Sequence, residues 1–112
     1  MQFPIDQVEE LGEICPGTQQ HEEGGVPYFF LPVLGLPDGC SPERVDALLC
    51  PTALHGYNSR LFFAQRLTSP QPRNWNFEAR ILERMWHAIS WGIPETNLRL
   101  AQVLALHLRA FR

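Results

Sequence analysis

Apolar residues recur at helical spacing near both ends of the chain. Val8 and Leu11 lie three residues apart in the otherwise polar stretch from Asp6 to Glu13, which predicts a short amphipathic helix. Between Leu98 and Ala110 the polar residues form only a narrow stripe, which predicts a mostly buried helix packed on a sheet. Asn97, immediately before this stretch, is a suitable N-cap residue.

A third stretch of helical spacing begins at Phe77. Its apolar residues follow one another at intervals of three and four, as they do on one face of a helix. These residues are Phe77, Ile81, Met85 and either Ala88 or Ile89. Gly92 and Pro94 follow them and predict the end of this helix.

The middle of the chain predicts strands and turns. The aromatic and apolar run from Tyr28 to Leu36 predicts a strand, and Pro32 within it indicates a sheet edge or a bulge, because proline donates no ladder hydrogen bond. The polar, turn-rich residues 16–25 predict a loop or the tip of a hairpin. A Pro-Asp-Gly sequence in residues 37–43 predicts a turn, and prolines make residues 65–73 a loop.

The segment from Val45 to Phe63 predicts two strands joined by a long turn. Val45, Ala47 and Leu49 share one face of the first strand, whereas Asp46 leaves the other face partly solvated. The return strand ends in a strongly apolar Leu-Phe-Phe sequence. The turn contains more side-chain chemistry than a reversal of the chain requires, so it is either a structural corner or a site.

Strands grouped before helices predict an α+β protein with an antiparallel sheet. With 112 residues, of which 45% are apolar, we expect one domain over residues 1–112 with one ordinary core. Within it, residues 1–25 are expected to form an N-terminal helix and loop, residues 26–67 the core of a β-meander, and residues 74–112 a helical part.

The charge pattern excludes some partners. A net charge of −3 and the absence of a basic run argue against nucleic-acid binding. The N-terminal sequence has no signal-peptide pattern, and no apolar run approaches the length of a membrane span, so we expect a cytoplasmic protein without a membrane partner. All nine basic residues are arginine. The lack of lysine indicates either a genome rich in G and C or a protein that works beside amine-directed chemistry.

The three cysteines, Cys15, Cys40 and Cys50, lack the spacing of a disulfide framework and predict free thiols in a reducing compartment. No His or Cys pair shows the two-to-four-residue spacing of a zinc site, so no metal and no cofactor is expected. Cys50 is interpreted as a small buried side chain. Cys40, in a Gly-Cys-Ser turn, is expected to be more exposed, with no base beside it in the turn.

Three tryptophans lie within the third predicted helix or just before it. On a helix Trp86 and Ser90 would share one face, and His87 and Trp91 another. Together with Trp75, these side chains predict either an aromatic cluster that anchors the helix to the sheet or a polar pocket beside a conjugation site.

The order of these motifs resembles the ubiquitin-conjugating-enzyme (UBC) superfamily. Pro51 and Gly56-Tyr57 stand in the turn, the strand SRLFF follows, and a Trp-bearing segment and a terminal helix come last. The sequences LGLPDGCSPERVDALLCP, GYNSRLFF and WHAISW are most similar to prokaryotic family E of that superfamily. The resemblance covers about Val26 to Phe111. It makes the proline, glycine and tyrosine of the turn fold-defining residues, together with the tryptophans.

The resemblance implies a UBC-like fold with a short N-terminal helix, an antiparallel meander and C-terminal helices packed on the sheet. It implies a component of a bacterial ubiquitin-like modification pathway, of which some are linked to antiviral defence. The implied partners are a ubiquitin-like protein and its adenylating activating enzyme, with a second conjugating-enzyme domain as an additional candidate.

The chain departs from that superfamily in one respect. The thioester cysteine of a working conjugating enzyme falls between Ala64 and Arg84 here, and that interval contains none. The first hypothesis is therefore a non-catalytic adaptor, a pseudo-enzyme that binds the other components. The second is an active transferase that uses an oxyester on a hydroxyl or a thioester on a different cysteine. Its candidate residues are Ser90, Ser69 or Thr68 with His87 as the base, and Cys50 or Cys40. The third is a stand-alone α+β domain that binds a small ligand or a metal.

Overall fold

The computed structural model describes residues 2–112 of the chain, which form two helices and one antiparallel sheet. In chain order the elements are α1 (Ile5–Ile14), β1 (Gln19–Glu23), β2 (Val26–Gly35), β3 (Arg44–Cys50), β4 (Arg60–Phe63), β5 (Phe77–Ile81), β6 (Arg84–Ala88) and α2 (Leu100–Leu108), with a 3₁₀ turn over Arg109–Phe111. The strands lie in the order β1-β2-β3-β4-β6-β5. The predicted α+β class and antiparallel sheet are therefore confirmed.

The polar stretch of residues 16–25 forms more regular structure than predicted. It contains strand β1, which pairs antiparallel with β2, and only Gly24 and Gly25 form the hairpin tip. Both glycines have positive φ, 59° and 79°, as a two-residue type I′ turn requires. Because β1 is an edge strand with mostly exposed side chains, its composition is that of a loop.

Strand β3 is buried on both of its faces, and this divides the apolar interior in two. Val45, Ala47 and Leu49 lie in one cluster with the buried faces of α1 and α2. On the opposite face Asp46 is partly exposed, as predicted, but Leu48 and Cys50 are fully buried in a second cluster, so this face is less solvated than expected. The second cluster also contains Tyr28, Phe62, Ile81, Trp86 and Ala88.

The prediction of a helix after Phe77 is wrong, because this stretch forms the β5–β6 hairpin. Its turn consists of Leu82 and Glu83, with φ of 51° and 63°. Neither is a glycine or an asparagine, so the sequence lacks the usual signal of a two-residue hairpin. Alternate residues of the two strands face the second cluster. Every second step of this period of two is four residues, which coincides in part with the spacing of a helical face. The C-terminal part, residues 74–112, therefore contains a β-hairpin as well as a helix and is not wholly helical.

The sheet curls so that the β5–β6 turn approaches β1. The backbone N–H of Leu82 donates to Glu23 Oε2 at 2.8 Å, and the Arg84 guanidinium pairs with Asp46 at 3.0 Å. The first contact joins opposite ends of the strand order, and the second crosses β4, which lies between β3 and β6. The curl closes the second cluster, so that this face of the sheet needs no helix to cover it.

Only one helix, α2, follows the sheet, and it begins later than predicted. Its N-cap is Arg99, and Asn97 lies before the helix with φ of 57°. The first N–H groups of α2 find acceptors on other side chains: Gln102 accepts from the Arg99 N–H, and Gln7 of α1 accepts from the Leu100 N–H. Within residues 2–112, neither helix is long and apolar enough to cross a membrane.

Asp46 fastens a bulge in β2. The β2–β3 register shifts between Leu31 and Leu34, and Val33 in the bulge has φ of 51°, which is unfavourable for a β-branched residue. Asp46 Oδ1 accepts the Val33 N–H at 2.9 Å, while its Oδ2 pairs with Arg84. One carboxylate therefore holds both the bulge and the curled hairpin.

We expect Asp46→Ala to lower the free energy of unfolding by about 1–2 kcal/mol, since both charge-assisted contacts are lost at a partly exposed site. Urea denaturation followed by tryptophan fluorescence measures this change. Glu43→Ala is the matched control, because the Glu43 carboxylate forms no hydrogen bond or ion pair among the residues the structure covers. Equal stability of the two variants would show that Asp46 does not hold the bulge.

Candidate functional site

The long turn between β3 and β4 contains a small hairpin of its own. Leu54 and Tyr57 exchange two backbone hydrogen bonds, and His55 and Gly56 between them have φ of 54° and 84°. This is the signature of a type I′ turn, so Gly56 serves the backbone conformation. The His55 ring lies tilted against the Phe77 ring, with centroids 4.7 Å apart. The turn with unusually many functional side chains is thus partly a structural corner, which is one of the two interpretations that the sequence left open.

Three consecutive residues fasten this turn to the segment that follows β6 and to α2. Each uses its side chain for one hydrogen bond. The pairs are Tyr57 Oη with Ser90 Oγ (2.8 Å), Asn58 Nδ2 with the Ile93 carbonyl (3.1 Å), and Ser59 Oγ with His107 Nε2 (2.9 Å). The turn and the segment are therefore held side by side.

A cleft of about 390 Å³ lies between the turn and the segment. It is lined by Gly56, Tyr57, Asn58, Gly92, Ile93 and Pro94. A side chain at either glycine would meet no atom within 4 Å, so the backbone there faces open space. A second depression of about 260 Å³ adjoins it, where Pro51 lies beside Asn58 and Ser59. Pro51 directly follows β3 and so stands at the start of the turn.

Arg60, the first residue of β4, lies behind the wall of the cleft. It is only 4% exposed, and its guanidinium carbon lies 4.4 Å from the ring centroids of both Tyr57 and Phe77. Its Nη2 donates to the Ile89 carbonyl at 3.2 Å. Burial lowers the pKa of Arg60, but a guanidinium keeps its charge at neutral pH. The cation is held by aromatic faces and one carbonyl.

His107 on α2 is buried beside this cation. Burial lowers its pKa to about 4, and the positive charge of Arg60 contributes to the same effect. The imidazole is therefore neutral at pH 7 and hydrogen-bonds Ser59 as an uncharged group. Sequence reasoning missed both Arg60 and His107. An arginine at a strand start and a histidine in an apolar helix carry no signal until the turn brings them together.

The three cysteines are free, as predicted, and all are buried. Each thiol contacts a backbone carbonyl: Cys15 that of Pro32, Cys40 that of Phe111 and Cys50 that of Thr52. Burial raises the pKa of all three thiols, which suppresses the nucleophilic thiolate. The expectation that Cys40 is more exposed is wrong, because the C-terminal turn covers it and leaves 5% exposed.

The hydroxyl candidates and their proposed base do not meet. Ser90 is exposed, and its partner is Tyr57; His87 Nδ1 instead lies 3.5 Å from Glu78 Oε2. No hydrogen bond joins His87 to Ser90 in the described part of the chain. Thr68 and Ser69 contact backbone carbonyls, those of Ser41 and Gln71. None of these hydroxyls is placed beside a general base.

The three tryptophans do not form one cluster. Trp86 lies in the second cluster, where its Nε1 donates to the Ile81 carbonyl at 3.0 Å. Trp75 stacks on Phe111 at 6.0 Å on the opposite side of the sheet. Trp91 donates to the Leu106 carbonyl and so attaches the segment after β6 to α2. The predicted shared helix faces of Trp86 with Ser90 and of His87 with Trp91 do not exist, because the stretch is not helical.

Within residues 2–112 no group of three or more His, Cys, Asp or Glu side chains is arranged to hold a metal ion. Comparison of the chain with protein-family models, with curated proteins and with solved structures found no match in any of the three. The site is therefore interpreted from its own geometry: a tyrosine-serine hydroxyl pair at an open cleft, with a buried arginine behind it.

Proposed function

We propose that this chain is a UBC-like component of a bacterial ubiquitin-like conjugation pathway that binds the pathway's other proteins without carrying the modifier itself. The observation that carries the proposal is the state of the thiols. All three cysteines are buried, and none falls in the interval from Ala64 to Arg84, where the resemblance requires one. A thioester needs an accessible thiolate, so these positions are unsuited to acyl transfer.

Two further features support the proposal. The α1 helix followed by β1 to β4 in consecutive antiparallel order agrees with the helix-and-meander arrangement that the resemblance implies. The residues of the turn, Pro51, Gly56 and Tyr57, act on its conformation and its attachment, which agrees with a fold-defining role. The chain differs from the expected arrangement after β4, where a hairpin replaces a helix.

The test is reconstitution with the activating enzyme, the ubiquitin-like protein and ATP. We expect the chain to co-elute with at least one of these proteins and to form no covalent adduct on a non-reducing gel. The absence of both binding and adduct would contradict the proposal. An adduct that disappears with thiol would identify a cysteine as the carrier, and Cys50→Ala and Cys40→Ala would then locate it, with Cys15→Ala as the matched control.

The exposed Ser90 hydroxyl gives the transferase hypothesis one specific observation in its favour, since Tyr57 fixes it at the edge of a cleft. That hypothesis requires an adduct that survives thiol, is cleaved by hydroxylamine and is lost in Ser90→Ala. Ser69→Ala is the control, because Ser69 lies on the 65–73 loop with its hydroxyl on the Gln71 carbonyl. The hypothesis of a stand-alone ligand-binding domain rests on the same cleft and predicts no interaction with the pathway proteins.

A further inference from the structure

The positive charge of Arg60 has no counter-charge among residues 2–112. The arginines that form ion pairs in that part of the chain are Arg66, Arg84 and Arg99, and no carboxylate there lies within 4.0 Å of Arg60. His107 beside it is neutral at pH 7. A buried charge that lacks a partner is costly, even where aromatic rings stabilise it in part. The buried cation at this site therefore lacks a compensating negative charge within residues 2–112.

The guanidinium is also incomplete in hydrogen bonds. It carries five N–H donors, and among the residues described it donates to the Ile89 carbonyl alone. The remaining N–H groups of Arg60 therefore have no hydrogen-bond acceptor among these residues.

The hydroxyl pair of Tyr57 and Ser90, which lies next to Arg60, contains one hydrogen that their mutual hydrogen bond does not use. Tyr57 and Ser90 share two hydroxyl hydrogens, of which one lies between the two oxygens at 2.8 Å. The other has no acceptor within the described part of the chain. Because the cleft beside Tyr57 is open at Gly56 and Gly92, an acceptor from outside can reach this position.

Two more arginines surround the same segment. The Arg73 guanidinium lies 4.9 Å from the Trp91 ring centroid and donates to the Ala110 carbonyl. Arg109 lines a depression on the far side of Gly92, next to Glu95. Neither arginine has an ion-pair partner in residues 2–112. This end of an acidic protein is therefore locally positive, which attracts an anion.

We propose that the cleft between Tyr57 and Pro94 is a carboxylate-binding site, in which Tyr57 and Ser90 donate a hydroxyl hydrogen to the ligand and Arg60 supplies the compensating charge. A single carboxylate neutralises the single buried cation, whereas a phosphate dianion needs a second cation within reach, and no charged residue of the described chain lines this cleft. The apolar faces of Ile93 and Pro94 suit the rest of a ligand whose charged end is small. The site does not depend on the proposed function, and the carboxylate belongs either to a polypeptide C-terminus or to a small organic acid.

Calorimetric titration at fixed ionic strength tests the proposal with four probes: a short alanine peptide with a free C-terminal carboxylate, the same peptide as the C-terminal amide, propionate, and inorganic phosphate. We expect the carboxylate peptide to bind and the amide to bind at least about tenfold more weakly, the effect of losing a charge-assisted hydrogen bond. Propionate binding as tightly as the peptide assigns the site to small acids, and weaker propionate binding assigns it to a chain terminus; both support the site.

The variants are Tyr57→Phe, which keeps the ring against Arg60, and Arg60→Met, which keeps an apolar stem. Each is expected to weaken carboxylate binding about tenfold or more. Arg80→Gln is the matched control for loss of one positive charge, since Arg80 is exposed on β5 and unpaired in the described region, and it should bind as the parent does. Equal binding of peptide acid and amide, no binding of any probe, unchanged affinity in Tyr57→Phe, or phosphate binding tighter than the carboxylates would each overturn the proposal.

Discussion

Lowering the pH from 7 to 4 is expected to cost the folded chain about 3 kcal/mol of stability through His107 alone. Its pKa is about 4 in the folded protein, compared with the unperturbed value of 6.5 expected in the unfolded chain. Burial and the positive charge of Arg60 both disfavour the imidazolium. Between these values the unfolded chain binds the extra proton. Stability is therefore full above pH 6.5, falls as the pH decreases toward 4, and loses nothing further from this residue below it.

Urea denaturation at a series of pH values measures the slope. His107→Gln keeps a hydrogen-bonding group for Ser59 but does not titrate. Between pH 7 and pH 4 the free energy of unfolding of the parent should therefore fall by about 3 kcal/mol more than that of the variant. Parallel pH profiles for the parent and His107→Gln would show that the pKa of His107 is not lowered.

Trp86→Ala is expected to lower the free energy of unfolding by about 3–5 kcal/mol, the usual cost of removing a fully buried tryptophan. Trp86 is 2% exposed, lies edge-on to Phe30 and donates its indole N–H to the Ile81 carbonyl. Trp86→Phe keeps most of the apolar area and removes the donor, so a smaller loss of about 1–2 kcal/mol is expected.

The adjacent residue supplies a control that distinguishes the hairpin from a helix. Met85 is 45% exposed in the hairpin, so Met85→Ala should change stability by no more than about 0.5 kcal/mol. A helix from Phe77 would instead bury Met85 on the same face as Phe77 and Ile81. A large loss in Met85→Ala with a small one in Trp86→Ala would therefore contradict the hairpin. Denaturation of both variants under identical conditions gives the comparison.

The candidate site was only partly predictable from the sequence. The turn after β3 is marked by its unusual composition, and Tyr57 and Ser90 were both singled out, but for separate reasons. Their hydrogen bond joins positions 33 residues apart. Arg60 gave no signal because its role depends on what surrounds it: three aromatic rings, a neutral histidine and, within residues 2–112, no carboxylate. Long-range neighbours of this kind are set by packing and not by local spacing.

What the sequence alone determined were the elements whose local pattern and tertiary environment agree. The helix α1, the two-faced strand β3 with Val45, Ala47 and Leu49 on one side, and the terminal helix α2 all follow from residue periodicity. The tertiary structure decided the rest. It turned the stretch after Phe77 into a hairpin, because burying Trp86 and Ile81 against the open face of the sheet outweighed a helical spacing that leaves this face uncovered. It also buried Cys40 beneath the C-terminal turn, paired Tyr57 with Ser90, and placed the Tyr57 ring against Arg60, which has no ion-pair partner in residues 2–112.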